Sequence, residues 1–231
     1  MIGFADIHSH FLYGVDDGPR TFEEMAAMLD MAYQSGIREI MATPHATPGI
    51  HPVKEDVIAL HLNEARAYCQ KKGYEMRLFS GAELLYTPAM ERFIEDGLLP
   101  TLAGSETVLV EYSPDVTMKE LDASVDHMER AGYTVILAHI ERYDCLCKGK
   151  AAWQFKDRHR VQNQANGRTL VNLKGFFQTR MIKGWLQDEL INYVASDAHN
   201  TEYRGFCMKE AYESLLKLCG ESYAKRLVGI R

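Results

Sequence analysis

Phe4-Ala-Asp-Ile-His-Ser-His10 is the stretch on which the fold turns. Phe4–His8 has the apolar character of a short buried strand, and its metal-capable residues crowd the C-terminal end. Alternation along an extended chain puts residues i and i+2 on one face, so His8 and His10 can both grip a single cation. A strand that ends in paired imidazoles raises the question of whether other strands end the same way.

They do. Further β-rich runs are expected at Ile37–Thr43, Met76–Ala82, Thr107–Glu111, Thr134–Ala138, Thr169–Leu173 and Ile191–Ser196, giving seven strands in all. His45 follows the second, Glu83 the third, Glu111 the fourth, His139 the fifth, and Asp197 with His199 the seventh. Only the sixth, in Leu170-Val-Asn-Leu-Lys-Gly, carries none. Asp197-Ala-His199 repeats the i, i+2 geometry of His8 and His10 from the other end of the chain.

Helical stretches separate these runs, the rhythm of a parallel sheet with crossover helices. The first is bounded by an N-cap at Thr21 with Glu24 three residues on, by apolar Phe22, Met25, Met28, Leu29 and Ala32, and by Gly36 at its close. Others are expected at Val53–Lys72, Pro88–Asp96, Met118–Ala131, Lys150–Ala165, Ile182–Glu189 and Met208–Cys219, and Ser222–Arg231 reads as a further helix that stops short. The predicted fold class is α/β, a barrel of alternating strands and helices. In a closed parallel barrel the C-terminal strand ends converge on one rim, which makes neighbours of residues far apart in sequence.

The bulk composition excludes other classes. A chain of 231 residues, 46% hydrophobic and 25% charged, reads as one globular domain over 1–231. With 26 basic against 32 acidic residues and no long like-charge run, it lacks the electrostatic footprint of a nucleic-acid binder. No run of 18 apolar residues and no signal-peptide pattern occurs, so a cytoplasmic protein without membrane insertion is expected. Cys69, Cys145, Cys147, Cys207 and Cys219 are odd in number and have no zinc-knuckle spacing, which predicts reduced thiols. None has Arg six residues later, and the chain has neither a Ser nucleophile elbow nor a P-loop, so an ionised metal-bound water is the evident nucleophile.

Imidazole and carboxylate without thiolate suit Mn, Fe, Zn or Mg, with Mn expected first. Arg142, three residues after His139, and Arg204, five after His199, leave the same rim and offer the planar fork that grips phosphate oxygens. His61, His127 and His159 sit in helical or loop stretches and read as ordinary surface or packing residues, whereas His51 falls in the loop after His45 and can line the rim. These observations reach a metal-dependent phosphoesterase.

Asp6-Ile-His-Ser-His, Gly14-Val-Asp-Asp-Gly-Pro19, Ala42-Thr-Pro-His45, Gly81-Ala-Glu83, Glu111, Ala138-His139 with Arg142, and Ser196-Asp-Ala-His199 with Arg204 together resemble the polymerase-and-histidinol-phosphatase (PHP) superfamily. Within it they are most similar to the bacterial manganese-dependent protein-tyrosine phosphatases of capsule and exopolysaccharide operons, and Val15-Asp-Asp-Gly-Pro19 is the segment specific to that branch. The resemblance implies a distorted seven-stranded (β/α) barrel with three divalent metals. It implies His8, His10, Asp17, His45, Glu83, Glu111, His139, Asp197 and His199 as ligands, and Arg142 and Arg204 as the phosphate-binding pair. The choice of Asp17 over Asp16 rests on the resemblance; spacing leaves both open. With the four acidic ligands ionised, three divalent ions leave a centre of about +2, matched to a phosphate dianion.

The substrate so implied is phosphotyrosine in the tail of a tyrosine autokinase that controls polysaccharide export. Two departures stand out: three extra residues before Asp6, and an end at Arg231 where such relatives usually continue, which leaves open the contacts of a homo-oligomer. Alternatives are a histidinol-phosphatase-like or other small-molecule phosphatase, and a catalytically silent PHP binding module. A metal-dependent amidohydrolase ranks third, because Lys174 is the one lysine near a strand end and that chemistry has no need of two rim arginines.

Overall fold

The structure is a computed structural model that describes residues 3–51 and 54–230. Among the described residues nine strand segments, β1 (Phe4–Ser9), β2 (Ile37–Ala42), β3 (His45–Ala46), β4 (Arg77–Ser80), β5 (Glu83–Leu85), β6 (Thr107–Glu111), β7 (Thr134–Leu137), β8 (Gln162–Asn166) and β9 (Tyr193–Ala195), pair in parallel throughout. They form a sheet in the order β1-β2-β4 and another in the order β3-β5-β6-β7-β8-β9.

The two sheets are one curl with an interruption. β2 runs on into β3 and β4 into β5, and across the gap Gly81 N–H donates to Ala42 O and Glu83 N–H to Pro44 O. Pro44 has no N–H to give, which is why the ladder breaks there. The curl is closed by a Ser9 to Ala198 bridge, with His10 N–H donating to Ala198 O at 2.8 Å and Asp197 N–H to His8 O at 2.9 Å. Counting interrupted strands once gives the seven staves expected of a distorted (β/α) barrel.

Nine helices accompany them: α1 (Phe22–Gln34), α2 (Glu55–Lys72), α3 (Glu91–Glu95), α4 (Met118–Arg130), α5 (Ala151–Arg158), α6 (Gly167–Val171), α7 (Gly175–Gln187), α8 (Met208–Cys219) and α9 (Glu221–Leu227), counted among the described residues. α1 starts where its cap predicts, Thr21 Oγ1 accepting the Glu24 N–H, and buries Met25, Met28, Leu29 and Ala32; Phe22 is exposed instead. α4 carries a full capping box between Thr117 and Glu120. The main core has Trp185, Tyr143, Phe11 and Phe155 fully buried, and a second, smaller cluster of Leu102, Leu109, Ile136 and Ala138 lies apart from it.

Three boundaries differ from expectation. The sixth strand is β8, not Thr169–Leu173, and the helix expected over Lys150–Ala165 ends at Arg158. Thr169-Leu-Val has strand-like composition, but Asn166 caps a helix there by accepting the Arg168 N–H at 2.9 Å. Gln162-Asn-Gln-Ala-Asn166 lacks apolar alternation because its inward side chains are buried amides rather than hydrocarbons. The helix expected at Ile182–Glu189 begins seven residues earlier, at Gly175. Val53, the expected start of α2, lies outside the described residues.

Candidate metal centre

The rim is built outward from β1. His8 and His10 share a face and are fully buried, while Ser9 points away and donates its hydroxyl to Met41 O. Beneath them buried Asp6 accepts the Ser196 N–H at 3.0 Å and so ties β1 to β9. Burial pushes the Asp6 carboxyl up to about 6, against the opposing pull of the Ser196 contacts.

Glu83, buried at the start of β5, is the hub. Its Oε2 stands 3.1 Å from His8 Nε2, 3.2 Å from His10 Nε2 and 3.0 Å from His45 Nδ1, and its Oε1 is 2.9 Å from His139 Nε2. Burial alone would raise this carboxyl, but the charge of His8 and the close nitrogens of His10, His139 and His45 hold it well below the usual range. Glu111, at the end of β6, reaches within 3.4 Å of His139 Nε2; burial and then the like charge of Glu83 push it up.

β9 delivers Asp197 and His199. The Asp197 carboxyl stays below its ordinary value despite burial, chiefly through His8, and its Oδ1 lies 3.6 Å from both His8 Nε2 and His10 Nε2. The His199 ring stacks on His10 with centroids 3.8 Å apart. Burial and then the neighbouring His10 charge depress His199 to about 4, whereas His10, though buried, is lifted to about 10 by Asp16 and Glu83. Two imidazoles this close do not both carry a positive charge.

His139 and Asp197 adopt left-handed backbone, with φ of 32° and 53°. Such non-glycine conformations cost about 1–3 kcal/mol each and persist only where surroundings enforce them. Here both aim their side chains into the cluster.

Asp16 and Asp17 divide the work of the Gly14–Pro19 turn. Asp16 Oδ2 accepts from His10 Nδ1 at 2.6 Å and from the His45 N–H at 3.1 Å, and its Oδ1 accepts from the Gly18 N–H at 2.9 Å. Asp17 faces the cluster itself, its Oδ1 3.1 Å from His199 Nε2 and 3.4 Å from His45 Nε2. Gly18 is required by space: a Cβ there would stand 2.3 Å from His10 O.

All nine expected ligand residues therefore come together. His8, His10, Glu83 and Asp197 each bring one donor atom within 4.8 Å of the others; so do His10, Asp17, His45 and His199, and so do His45, Glu83 and Glu111. His139 joins through Glu83 and Glu111. The donor set fits divalent cations, because Glu83 Oε2 and His199 Nε2 are buried among charge partners at 3.0–3.2 Å yet make no well-directed hydrogen bond to them, and leaving such groups unsatisfied is costly. Imidazole and carboxylate at this density suit Mn, Fe, Zn or Mg.

Both arginines reach the same place. Arg142 Nη2 donates to Asp197 Oδ2 at 2.8 Å, and Arg204 Nη1 donates to Asp17 Oδ2 at 3.1 Å. His51 lines a cavity of about 320 Å³ beside His45, together with Val15, Pro44 and Lys54. His61 stacks on Tyr13, and His159 lies between Asp122 and Glu129, so both are packing residues. Lys174 is exposed at the start of α7.

Sequence reading missed the residues behind the ligands. Gln164 Oε1 accepts from the His139 N–H at 2.8 Å and contacts His8 Nδ1 at 3.2 Å, and Asn166 Nδ2 donates to Asp197 Oδ2 at 2.9 Å. Glu141, half-buried next to Arg142, accepts from the Asn166 N–H and the Thr169 hydroxyl. The one signal for them was the cap pattern at Asn166.

A seven-staved parallel barrel whose C-terminal rim gathers clusters able to hold metal ions defines a class, the PHP-type barrel. Within it, the chain belongs to the family of capsular polysaccharide synthesis proteins CpsB/CapC, which matches residues 4–230. The tyrosine-protein phosphatase CpsB of Streptococcus pneumoniae is 32% identical over 228 residues, covering 96% of this chain and 93% of that protein. A solved structure of the metal-dependent tyrosine phosphatases YwqE of Bacillus subtilis and CpsB of Streptococcus pneumoniae superposes with a TM-score of 0.86 at 24% identity, over 97% of this chain and 91% of that one. The histidinol phosphate phosphatase of Lactococcus lactis, solved with zinc, L-histidinol and phosphate, superposes with a TM-score of 0.60 at 13% identity, over 94% and 92% of the two chains. The last two likenesses bear on the fold.

Proposed function

We propose that this protein hydrolyses phosphotyrosine in proteins, using divalent metal ions held by His8, His10, Asp17, His45, Glu83, Glu111, His139, Asp197 and His199. The observation that carries the reading is the convergence of these donors on a rim that also holds Arg142 and Arg204, in a chain of the CpsB/CapC family. Three ions are proposed, in line with three overlapping donor groups, and manganese is proposed first. The substrate is proposed to be the phosphotyrosine tail of a tyrosine autokinase that controls capsule export, met in the cytoplasm. Among the described residues no helix is long and apolar enough to cross a membrane.

When bound, the ions supply Lewis acidity toward the phosphoryl oxygens and acidify a water. The chain's own residues do the rest. Arg142 and Arg204, each braced by a carboxylate, present guanidinium donors to the non-bridging oxygens and orient the ester. The bracing matters because donors fixed beforehand need no reorganisation as charge moves in the transition state. The leaving phenolate has a conjugate pKa of about 10, so it departs with less help from a general acid than an alkoxide would.

The test is turnover of a phosphotyrosyl peptide by metal-reconstituted protein, beside histidinol phosphate as competitor substrate and beside Arg204→Ala. The expected result is preference for the peptide, and loss of kcat/KM by about 10²–10³ in the variant with metal content intact, by analogy with deletion of one preorganised donor. Wild-type kcat/KM in a fully metallated Arg204→Ala protein would make Arg204 an ordinary surface arginine.

A further inference from the structure

We infer that β8 is the alignment strand of the metal centre: the side-chain amides of Gln164 and Asn166 fix the tautomer of His8 and the free oxygen of Asp197. The inference rests on the proposed ligand roles of His8 and Asp197, but it concerns residues that bind no metal themselves.

Donors whose identity cannot change orient both amides. An amide side chain has an oxygen at one end and a nitrogen at the other, and local partners decide which faces where. The end of Gln164 directed at the rim lies 2.8 Å from the His139 backbone N–H, an obligate donor, so that end is the oxygen. The same oxygen lies 3.2 Å from His8 Nδ1. An oxygen without a proton can only accept, so Nδ1 of neutral His8 carries the hydrogen. Its lone pair then sits on Nε2, the atom turned toward Glu83, His10 and Asp197. The left-handed backbone of His139 takes part, because the N–H that orients Gln164 belongs to that residue.

Asn166 follows the same logic two residues on, where alternation returns a side chain to the same face. Its Oδ1 is committed to the Arg168 N–H at 2.9 Å as the cap of α6. Its Nδ2 must therefore face Asp197 Oδ2, also at 2.9 Å, an oxygen that Arg142 contacts as well. With Oδ2 occupied by two donors, Oδ1 remains for the cluster, 3.6 Å from His8, His10 and His199 nitrogens and from Arg204 Nη2. Both amides are almost fully buried, at 0% and 4% exposure, so water does not compete for these contacts. Partners of this kind usually contribute about 10–100-fold to metal affinity.

The measurements are Mn²⁺ affinity of the full chain by competition with a chromophoric chelator, and the His8 tautomer by long-range ¹H–¹⁵N correlation in the metal-free protein at a pH high enough to leave the ring neutral, assigned through His8→Ala. Gln164→Leu removes the acceptor; it is expected to weaken Mn²⁺ binding about 10–100-fold and to spread the His8 proton over both nitrogens. Gln164→Glu keeps an accepting oxygen for both contacts and is expected to restore the tautomer and most of the affinity. Asn166→Ser keeps a helix cap but cannot reach Asp197, so thermal stability should hold while affinity falls. If Gln164→Leu does not fold, Asn166→Ser and the wild-type tautomer decide alone. Wild-type affinity in Asn166→Ser, or a His8 proton found on Nε2 in the wild type, overturns the inference. Failure of the wild-type protein to bind Mn²⁺ would instead sink the proposed metal centre, and the tautomer measurement would still stand.

Discussion

Replacing Asp16 separates a ligand from the residue that holds a ligand. Its two oxygens serve three donors: Gly18 N–H on Oδ1, and His10 Nδ1 with His45 N–H on Oδ2. Asn offers one oxygen. If that oxygen stays on Gly18, the amide nitrogen opposes both the His45 N–H and the His10 Nδ1–H, and a neutral His10 relieves its own share of the clash only by moving its proton to Nε2, the nitrogen aimed at Glu83. If the amide flips, His10 is served and the half-buried Gly18 N–H turns to water. Asp16→Asn is thus expected to weaken metal binding about tenfold, and Asp16→Ala, which leaves His10 with no acceptor, about 100-fold. At about 1.4 kcal/mol per decade these are about 1.4 and 2.8 kcal/mol. Neither change removes a donor from the cluster, so at saturating metal the stoichiometry should stay at the wild-type value. Asp17→Asn should behave the other way, with one ion per chain lost on elemental analysis. If Asp16→Ala loses an ion while Asp17→Asn keeps its full complement, the two roles are reversed and the reasoning fails.

Gly18→Ala drives a methyl to 2.3 Å from His10 O, an overlap that costs about 1–3 kcal/mol and moves the turn carrying both aspartates; thermal midpoint and metal content should fall together. An alanine variant with unchanged midpoint and metal would show that the turn has slack. Burial pushes the thiols of Cys69 and Cys147 up to about 11 and of Cys207 up to about 12, so thiolate is scarce at neutral pH. Replacing all five cysteines by serine should keep turnover within a few-fold; one Cys→Ser change that abolishes turnover in a metallated protein contradicts this. Asp30 accepts from Tyr68, Tyr74 and Lys72 at 2.8, 2.9 and 3.2 Å, and these contacts hold its carboxyl below the usual range against the effect of burial. A depressed folded-state pKa stabilises above the unfolded value and is lost as pH falls through the folded one. Asp30→Ala should therefore cost about 1–2 kcal/mol at pH 7 in denaturant titration, with the gap to wild type closing below about pH 4; a gap undiminished at pH 3 refutes the account.

The sequence was most legible where one residue's chemistry and one element's period agreed. His8 and His10 on a short strand, His199 two residues from Asp197, and the Thr21 cap of α1 all lie where spacing puts them. β8 was illegible for a physical reason. Its inward positions are Gln164 and Asn166, whose burial is made tolerable by hydrogen bonds to residues 25 and 31 positions away, and no local pattern announces such partners. Thr169-Leu-Val offered a better strand by composition, and the cap at Asn166 overrode it. Asp16 and Asp17 were indistinguishable for a related reason: adjacent carboxylates in a turn differ in direction, and direction comes from Gly18 pressing on His10 O.

The most direct test of the central claim is phosphate release from a phosphotyrosyl peptide by one preparation in three states: as purified, after exhaustive chelation with metal loss confirmed by elemental analysis, and after Mn²⁺ is returned. The clustered donors predict turnover in the first state, none above background in the second and recovery in the third. Undiminished turnover by protein shown to hold no metal would contradict the account.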